Sequence, residues 1–342
     1  MLSAAQARPV LLRTHAIRAS SLTVLGSELA STFRAETDTG AYAVKMQASG
    51  PRDFAVQLWR AEIADRLASL GHRVPEQVHT PDGALAALDE AGSAAPVFVS
   101  VTRWVDAVPY ASAVAEPGAG ARFGAHLGAT AALLQRDLAG FPGPPRPLAH
   151  TWAAHTTADT IAQHTALLPA GPARDIGEAA LLLHGRFIAP VAASLPRALV
   201  HQDLHDDNVL VGADGKIAAI IDFDDMLVGW RVAEPAIAAA YLARAADDPL
   251  AALRAVADGW QSELPFTTAE AETFAPIAAM RLALNTVVWA SRMSGDRAGY
   301  AAARAQGSAA AFQVIAATLA SPALTRPAAP RTRAHQHHRF AR

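Results

Sequence analysis

A chain of 342 residues has room for one large domain or two smaller ones, each with a core of its own. A formal net charge of −2 offers no electrostatic case for nucleic acid or an anionic membrane surface as partner. There is no cysteine, which excludes disulfides and thiol chemistry.

Residues 1–20 lack the unbroken apolar core of a secretory signal, and no apolar run approaches the length of a membrane span. A soluble, cytoplasmic chain is therefore expected. Only two lysines occur, Lys45 and Lys216, and arginine carries the remaining positive charge. Lys216 sits at a turn-to-strand junction where any polar residue would serve. Lys45 ends the alternating segment 41–44, a strand that follows the turn Asp38-Thr39-Gly40. An ammonium on a flexible stem is a compact charge suited to α- and β-phosphates. The ordinary alternative is an edge-strand lysine facing water.

Apolar residues at helical spacing (Phe54, Leu58, Ile63, Leu67, Leu70) predict a helix over 54–70 that stops at Gly71. Glu62 on this helix is the candidate partner for Lys45, with Glu28, Glu36 and Asp65 competing for the role. Val74-Pro75 and Pro81-Asp82-Gly83 punctuate two short strands, and 97–101 reads as a buried strand leading into 102–106. The remainder is mainly helical, over 118–138, 158–168, 174–195, 232–246, 249–264 and 268–292, with a rigid proline-rich break at 141–147. Thr267 and Glu270 have capping-box spacing. Residues 321–342, with three prolines, five arginines and no apolar periodicity, read as a disordered tail.

The stretch 199–225 concentrates the chemistry. It holds His201, Asp203, His205, Asn208, Asp222 and Asp224 around a hairpin: a strand at 209–211, a turn at 212–215 and a strand at 216–221. The hairpin places Asn208 beside Asp222, one oxygen donor from each side. A hard cation such as magnesium is usually held by one or two side chains plus substrate phosphates. A third group, here Asp203, must orient the nucleophilic hydroxyl. A solvated acidic hairpin is the bland alternative.

The pattern His201-x-Asp203-x-x-x-x-Asn208 followed by Ile221-Asp222-Phe223 resembles the kinase-like phosphotransferases. It is most similar to the aminoglycoside phosphotransferase and choline kinase branch, and within it to hydroxylysine kinase and its bacterial relatives. The resemblance covers about residues 22–300 and is specific around Asp203. It implies an α+β, bilobal, protein-kinase-like fold. A small antiparallel-sheet lobe over 1–104 would bind nucleotide, and a larger, mainly helical lobe over 105–320 would carry catalysis and substrate. It further implies ATP and Mg2+ as cofactors, Asp203 as catalytic base, Asn208 and Asp222 as metal ligands, and 102–106 as the hinge that reads the adenine edge. Residues 25–34 then occupy the place of a phosphate-covering turn, where Ser31 and Thr32 could donate to phosphates. Relatives usually carry Asp and Asn where this chain has Ala30 and Thr32, Trp-Asp where it has Trp152-Ala153, and an Asp-Leu-Ala type sequence where it has Glu234-Pro235-Ala236. Glu234 replaces that acid structurally in this reading.

The expected partner is a small molecule with a hydroxyl and an amine. Asp206, Asp207, Asp224, Asp225 and Glu234 make an acidic neighbourhood, and Trp152, Tyr241 and Trp260 offer cation–π faces. His205 and Asp224 join the candidate substrate contacts. Arg281 would pair with a substrate carboxylate, or merely with Glu234. Hydroxylysine-like or other amino-alcohol substrates come first, aminoglycosides second, and homoserine or a sugar third. A nucleotide-binding pseudokinase and a protein kinase are the readings from other classes. The second is disfavoured because no Ala-Pro-Glu segment follows Asp222 and helix is expected to resume almost at once.

Overall fold

The computed structural model describes residues 2–26, 30–91, 95–113, 119–292, 302 and 305–321. Ser3 and Gln6 form a reciprocal capping box that starts α1 (Ala4–His15). This helix is absent from the expected elements, although the Ser-x-x-Gln spacing is its signature. Its Ala7, Val10 and Leu11 are buried against a sheet.

That sheet contains β1 (Ser21–Leu25), β2 (Ser31–Thr37), β3 (Gly40–Ala48), β4 (Ala87–Asp89) and β5 (Val97–Arg103). Its order is β1-β2-β3-β5-β4, with every pair antiparallel. The period of two sends Phe33, Ala35, Val44, Met46, Val99 and Val101 into one core with α1. The opposite face carries Thr32, Lys45 and Ser100 in one row, set by the pairs Thr32↔Lys45 and Lys45↔Ser100. Between β3 and β4 runs α2 (Pro51–Ser69). Phe54 of α2 meets Phe98 edge-to-face. The helix buries Val56, Trp59, Ile63 and Leu67, however, in the larger core beyond the sheet.

The second core is built by β6 (Val108–Pro109), α3 (Tyr110–Ala113), α4 (Ala119–Leu138), α5 (Thr157–Leu167), α6 (Pro172–Leu183), β7 (Arg197–Val200), β8 (Val209–Val211), β9 (Ile217–Ile220), β10 (Leu227–Trp230), α7 (Ala233–Ala245), α8 (Pro249–Glu263), α9 (Thr268–Ser291) and α10 (Ser308–Ala320). The helix expected over 174–195 is broken. A π-helical turn, His184–Ile188, and a 3-10 turn, Ala192–Ser194, follow α6. Pro190 has no N–H, and its ring opposes the carbonyl four residues earlier, so the ladder cannot continue. Helix does not resume directly after Asp222 either, because β10 first pairs with β7. By length and composition α9 could cross a membrane, contrary to the expectation of no such run. Yet 89% of its most apolar window is buried inside the protein, as in a core helix. The tail from 322 onward lies outside the described residues.

Two glycines let α4 and α8 approach closely. A Cβ on Gly128 would collide with the Val256 carbonyl, and one on Gly259 with the Ala125 carbonyl. Gly259→Ala is therefore expected to lower stability by about 1–3 kcal/mol through overpacking, read as an earlier midpoint in urea unfolding.

Candidate active site

The loop from His201 to Asn208 leaves the end of β7 and enters β8. Its backbone is anchored from below by Glu234, in the first turn of α7, whose Oε2 accepts from the N–H groups of His201 (2.6 Å) and Gln202 (3.2 Å). Gln202 is held at φ +66°, a left-handed conformation that side chains usually avoid. The Gln202 Oε1 in turn accepts from Ala154 N–H (3.3 Å). Burial pushes the Glu234 carboxyl up to about 7, against the lowering effect of the two amides. Glu234, proposed from sequence as a substrate contact, is instead fully buried and binds the loop's own backbone.

Asp203, the loop's central acid, receives three side-chain donors. Arg281 Nη2 donates to Oδ1 at 2.7 Å, Asn208 Nδ2 to Oδ2 at 2.8 Å, and His205 Nε2 to Oδ2 at 3.2 Å. The His205 tautomer follows from its other nitrogen, since Nδ1 accepts from Asp207 N–H at 3.0 Å. Burial alone would raise the Asp203 carboxyl, but His205 and Arg281 overcome it and hold it well below the usual carboxylate range. The group is thus an anion with a fixed direction.

Arg281 on α9 is only 4% exposed, and its donors are committed inward: Nη1 to Trp152 O (2.9 Å), Nε to Tyr241 Oη (3.3 Å) and Nη2 to Asp203. The rings of Trp152 and Tyr241 lie 5.0 and 5.3 Å from its guanidinium. So Arg281 pairs with Asp203 rather than with Glu234, and it is the cation on Trp152, while Tyr241 is shared with Arg244 at 4.9 Å. Trp260 is fully buried, stacked on Phe266.

Across the cleft, Lys45 Nζ lies 2.9 Å from Asp222 Oδ1 and 2.7 Å from Asp224 Oδ2. Burial would lower the lysine, but Asp222 and then Asp224 raise it above its ordinary value. Asp222 sits at φ +63°, and its Oδ1 also accepts from Asp224 N–H (3.3 Å). Ile221 N–H donates to Asn208 O at 2.9 Å, which brings the two candidate metal ligands together. The next residue, Phe223, packs edge-on against His201 with centroids 4.6 Å apart. Asp225 completes the acidic wall. Its Oδ1 is 3.1 Å from His150 Nε2, and burial followed by the charge of Asp203 pushes its carboxyl up to about 8. His150 and Asp225 form a pair that sequence reasoning did not single out. A histidine three residues past a proline-rich break carries no spacing signal linking it to an acid 75 positions later.

Glu62 is not brought to Lys45. It lies on the exposed side of α2, because the phase that buries Trp59 and Ile63 turns position 62 outward. Of its competitors, Glu36 pairs with Arg34 at 2.7 Å, Asp65 lies 3.7 Å from His79, and Glu28 is outside the described residues. Ser31 is also misplaced for phosphate binding. Its side chain faces the α1 side of the sheet and its hydroxyl accepts from Leu2 N–H at 2.6 Å. Thr32, one residue on, faces the cleft beside Lys45.

Comparison with known proteins bears on this geometry. The profile described as the phosphotransferase enzyme family matches residues 21–272, which include Lys45, Asp203, Asn208 and Asp222 but stop short of Arg281. The chain belongs to that family. A hydroxylysine kinase from Danio rerio is 28% identical over 122 residues, a segment covering 34% of this chain and 34% of that relative. The match therefore spans about a third of the curated relative's length. Among solved structures, an amicoumacin kinase in complex with AMP-PNP, Ca2+ and Ami aligns with a TM-score of 0.68 at 14% identity, covering 93% of this chain and 94% of that one. A microcompartment-associated aminopropanol kinase aligns at 0.63 with 18% identity, covering 90% and 96%. These two likenesses establish the kinase-like fold of this phosphotransferase.

The Glu234 anchor of this phosphotransferase makes a prediction with a sign. Its folded pKa of about 7 lies above the ordinary value of 4.5, so the unfolded chain releases the proton first. Stability should fall as pH rises from about 4.5 to about 7. Glu234→Gln, which keeps a carbonyl acceptor, should flatten that slope in pH-dependent urea unfolding. Glu234→Ala, which orphans two buried N–H groups, should lower stability by about 1–3 kcal/mol per unpaired group.

Proposed function

We propose that this phosphotransferase is an ATP- and magnesium-dependent kinase that phosphorylates a hydroxyl on a small amine-bearing acceptor, an amino alcohol or a hydroxylysine-like molecule. The observation that carries the reading is the Asp203 carboxylate, anionic and fixed by Arg281, Asn208 and His205, facing the Lys45–Asp222 pair. In phosphoryl transfer the protein mainly positions groups and stabilises charge. A carboxylate held at so low a pKa is a weak base, so Asp203 orients the acceptor hydroxyl rather than stripping its proton early.

The donor set suits a magnesium–nucleotide. Asn208 commits Nδ2 to Asp203, which leaves Oδ1 as its free oxygen, and Asp222 keeps Oδ2 beyond the lysine contact. Among the described residues no three His, Cys, Asp or Glu side chains converge into a metal cage. Two oxygen ligands completed by phosphates is the usual way of holding magnesium. Bound there, the ion would neutralise and orient the phosphates, while Lys45, released in part from its two aspartates, would add its charge to them.

Support for an amine comes from the acceptor side of the cleft. Asp224 and Asp225 are the acids left facing it, while Arg281 is committed inward. An ammonium beside Asp225 would favour its ionised form. Acceptor KM should therefore fall as pH rises through about 8, and Asp225→Asn should abolish that dependence.

The decisive test is an ATP-consumption screen with magnesium over amino alcohols, hydroxyamino acids, aminoglycosides and sugars. Turnover is expected on the amino-alcohol or hydroxylysine class. Asp203→Asn should remove most of it while leaving nucleotide affinity nearly unchanged, whereas Asp222→Ala should weaken magnesium–nucleotide binding. Near-normal turnover by Asp203→Asn would overturn the assignment.

A further inference from the structure

On α2, the residue that does turn toward the cleft is Arg60, two positions before Glu62. It follows Gln57, which donates from Nε2 to Gln47 of β3 at 3.2 Å and so ties this face of the helix to the Lys45 strand. Arg60 itself is poorly satisfied. Its Nη1 reaches Gln57 Oε1 only at 3.5 Å, and its buried Nε has no hydrogen-bond partner. A buried guanidinium donor without a partner is costly and calls for a specific explanation.

The carboxylates around it do not supply one. Arg60 faces the charges of Asp224, Asp225 and Asp222, with Arg146 as a like-charged neighbour. Yet Asp222 and Asp224 are engaged by Lys45, Asp225 by His150, and Arg146 is paired with Asp53 at 2.7 Å. Burial pulls the Arg60 pKa down, and these acids only partly oppose it. Gln47 lies on the same face of β3 as Lys45, two residues on, and Arg60, three residues after Gln57, shares the face of α2 that meets it. An anion bound beside Lys45 would offer the unpaired Nε the partner it lacks.

We propose that Arg60 grips the terminal phosphate of the bound nucleotide, a second cation standing where an acidic partner for Lys45 was expected. The inference rests on the kinase reading above. A planar fork suits two phosphate oxygens at once, and a lysine cannot reproduce that geometry. The same chemistry could instead recognise a carboxylate on the acceptor, so the test omits the acceptor.

Calorimetric titration of the full chain with ADP and with AMP-PNP, both in magnesium, separates these cases. Arg60→Met should weaken AMP-PNP roughly tenfold to a hundredfold, as expected for a lost charge-assisted contact, and change ADP less than about threefold. Arg60→Lys, which keeps the charge and is the safer variant for folding, should recover part of the AMP-PNP affinity. Equal loss of both nucleotides, or no loss of either, would overturn the proposal. A retained AMP-PNP preference in both variants would do so too, assigning the fork to another anion. Failure of the unmutated protein to bind either nucleotide would instead sink the kinase reading itself.

Discussion

The buried pair of Arg281 and Asp203 is the constraint around which the helical lobe is arranged. A guanidinium this deep is tolerable only if its donors are met, and here each partner comes from a different segment: the loop before α5, α7, and the loop after β7. One side chain of α9 thereby fixes the spacing of three pieces of chain around the catalytic candidate. Removing one partner of such a pair is far more harmful than the pair is stabilising, because the remaining charge has no water to return to.

A second set of constraints works on the backbone. Gln202 and Asp222 both occupy the left-handed region, where a residue with a Cβ gives up about 1–2 kcal/mol. Glu234 holds the first through two amides, and the turn closed by Asp224 N–H on Asp222 holds the second. His201 against Phe223 joins the two strained segments, so each loop is shaped partly by the other. Strain of this kind survives only where surrounding contacts over-determine it.

Much of this was legible in the sequence, and the reasons differ by element. Asp203, Asn208 and Asp222 were readable because their spacing is short and local, and Lys45 because lysine is so rare in this chain. Strands early in the chain and helices later were readable from periodicity, whereas their grouping into a sheet lobe and a helical lobe came from the resemblance. What could not be read was phase and distant pairing. Sequence gives α2 as a helix, but a helix turns by about 100° per residue, so which of its residues face the cleft could be read only from the core that α2 packs on. The same holds for Ser31 against Thr32, where a shift of one residue exchanges the two faces of the sheet. Arg281 was visible as a charge in an apolar helix, yet its partner lies 78 residues away and nothing local points to it. By contrast α1 was readable and went unread, since Ser3 and Gln6 carry the capping signature.

The packing of α2 has a consequence for how the molecule can move. Encoded among the strands, it buries its apolar stripe in the helical core, and Trp59 donates to Pro142 O at 3.1 Å. Its ties to the sheet are thinner, chiefly Phe54 on Phe98 and Gln57 on Gln47. The natural plane of slip therefore runs between α2 and the strands rather than between residues early and late in the chain. Arg60 is held on the helix that packs into the helical core while Lys45 belongs to the sheet, so any slip along that plane would change the distance between these two cations.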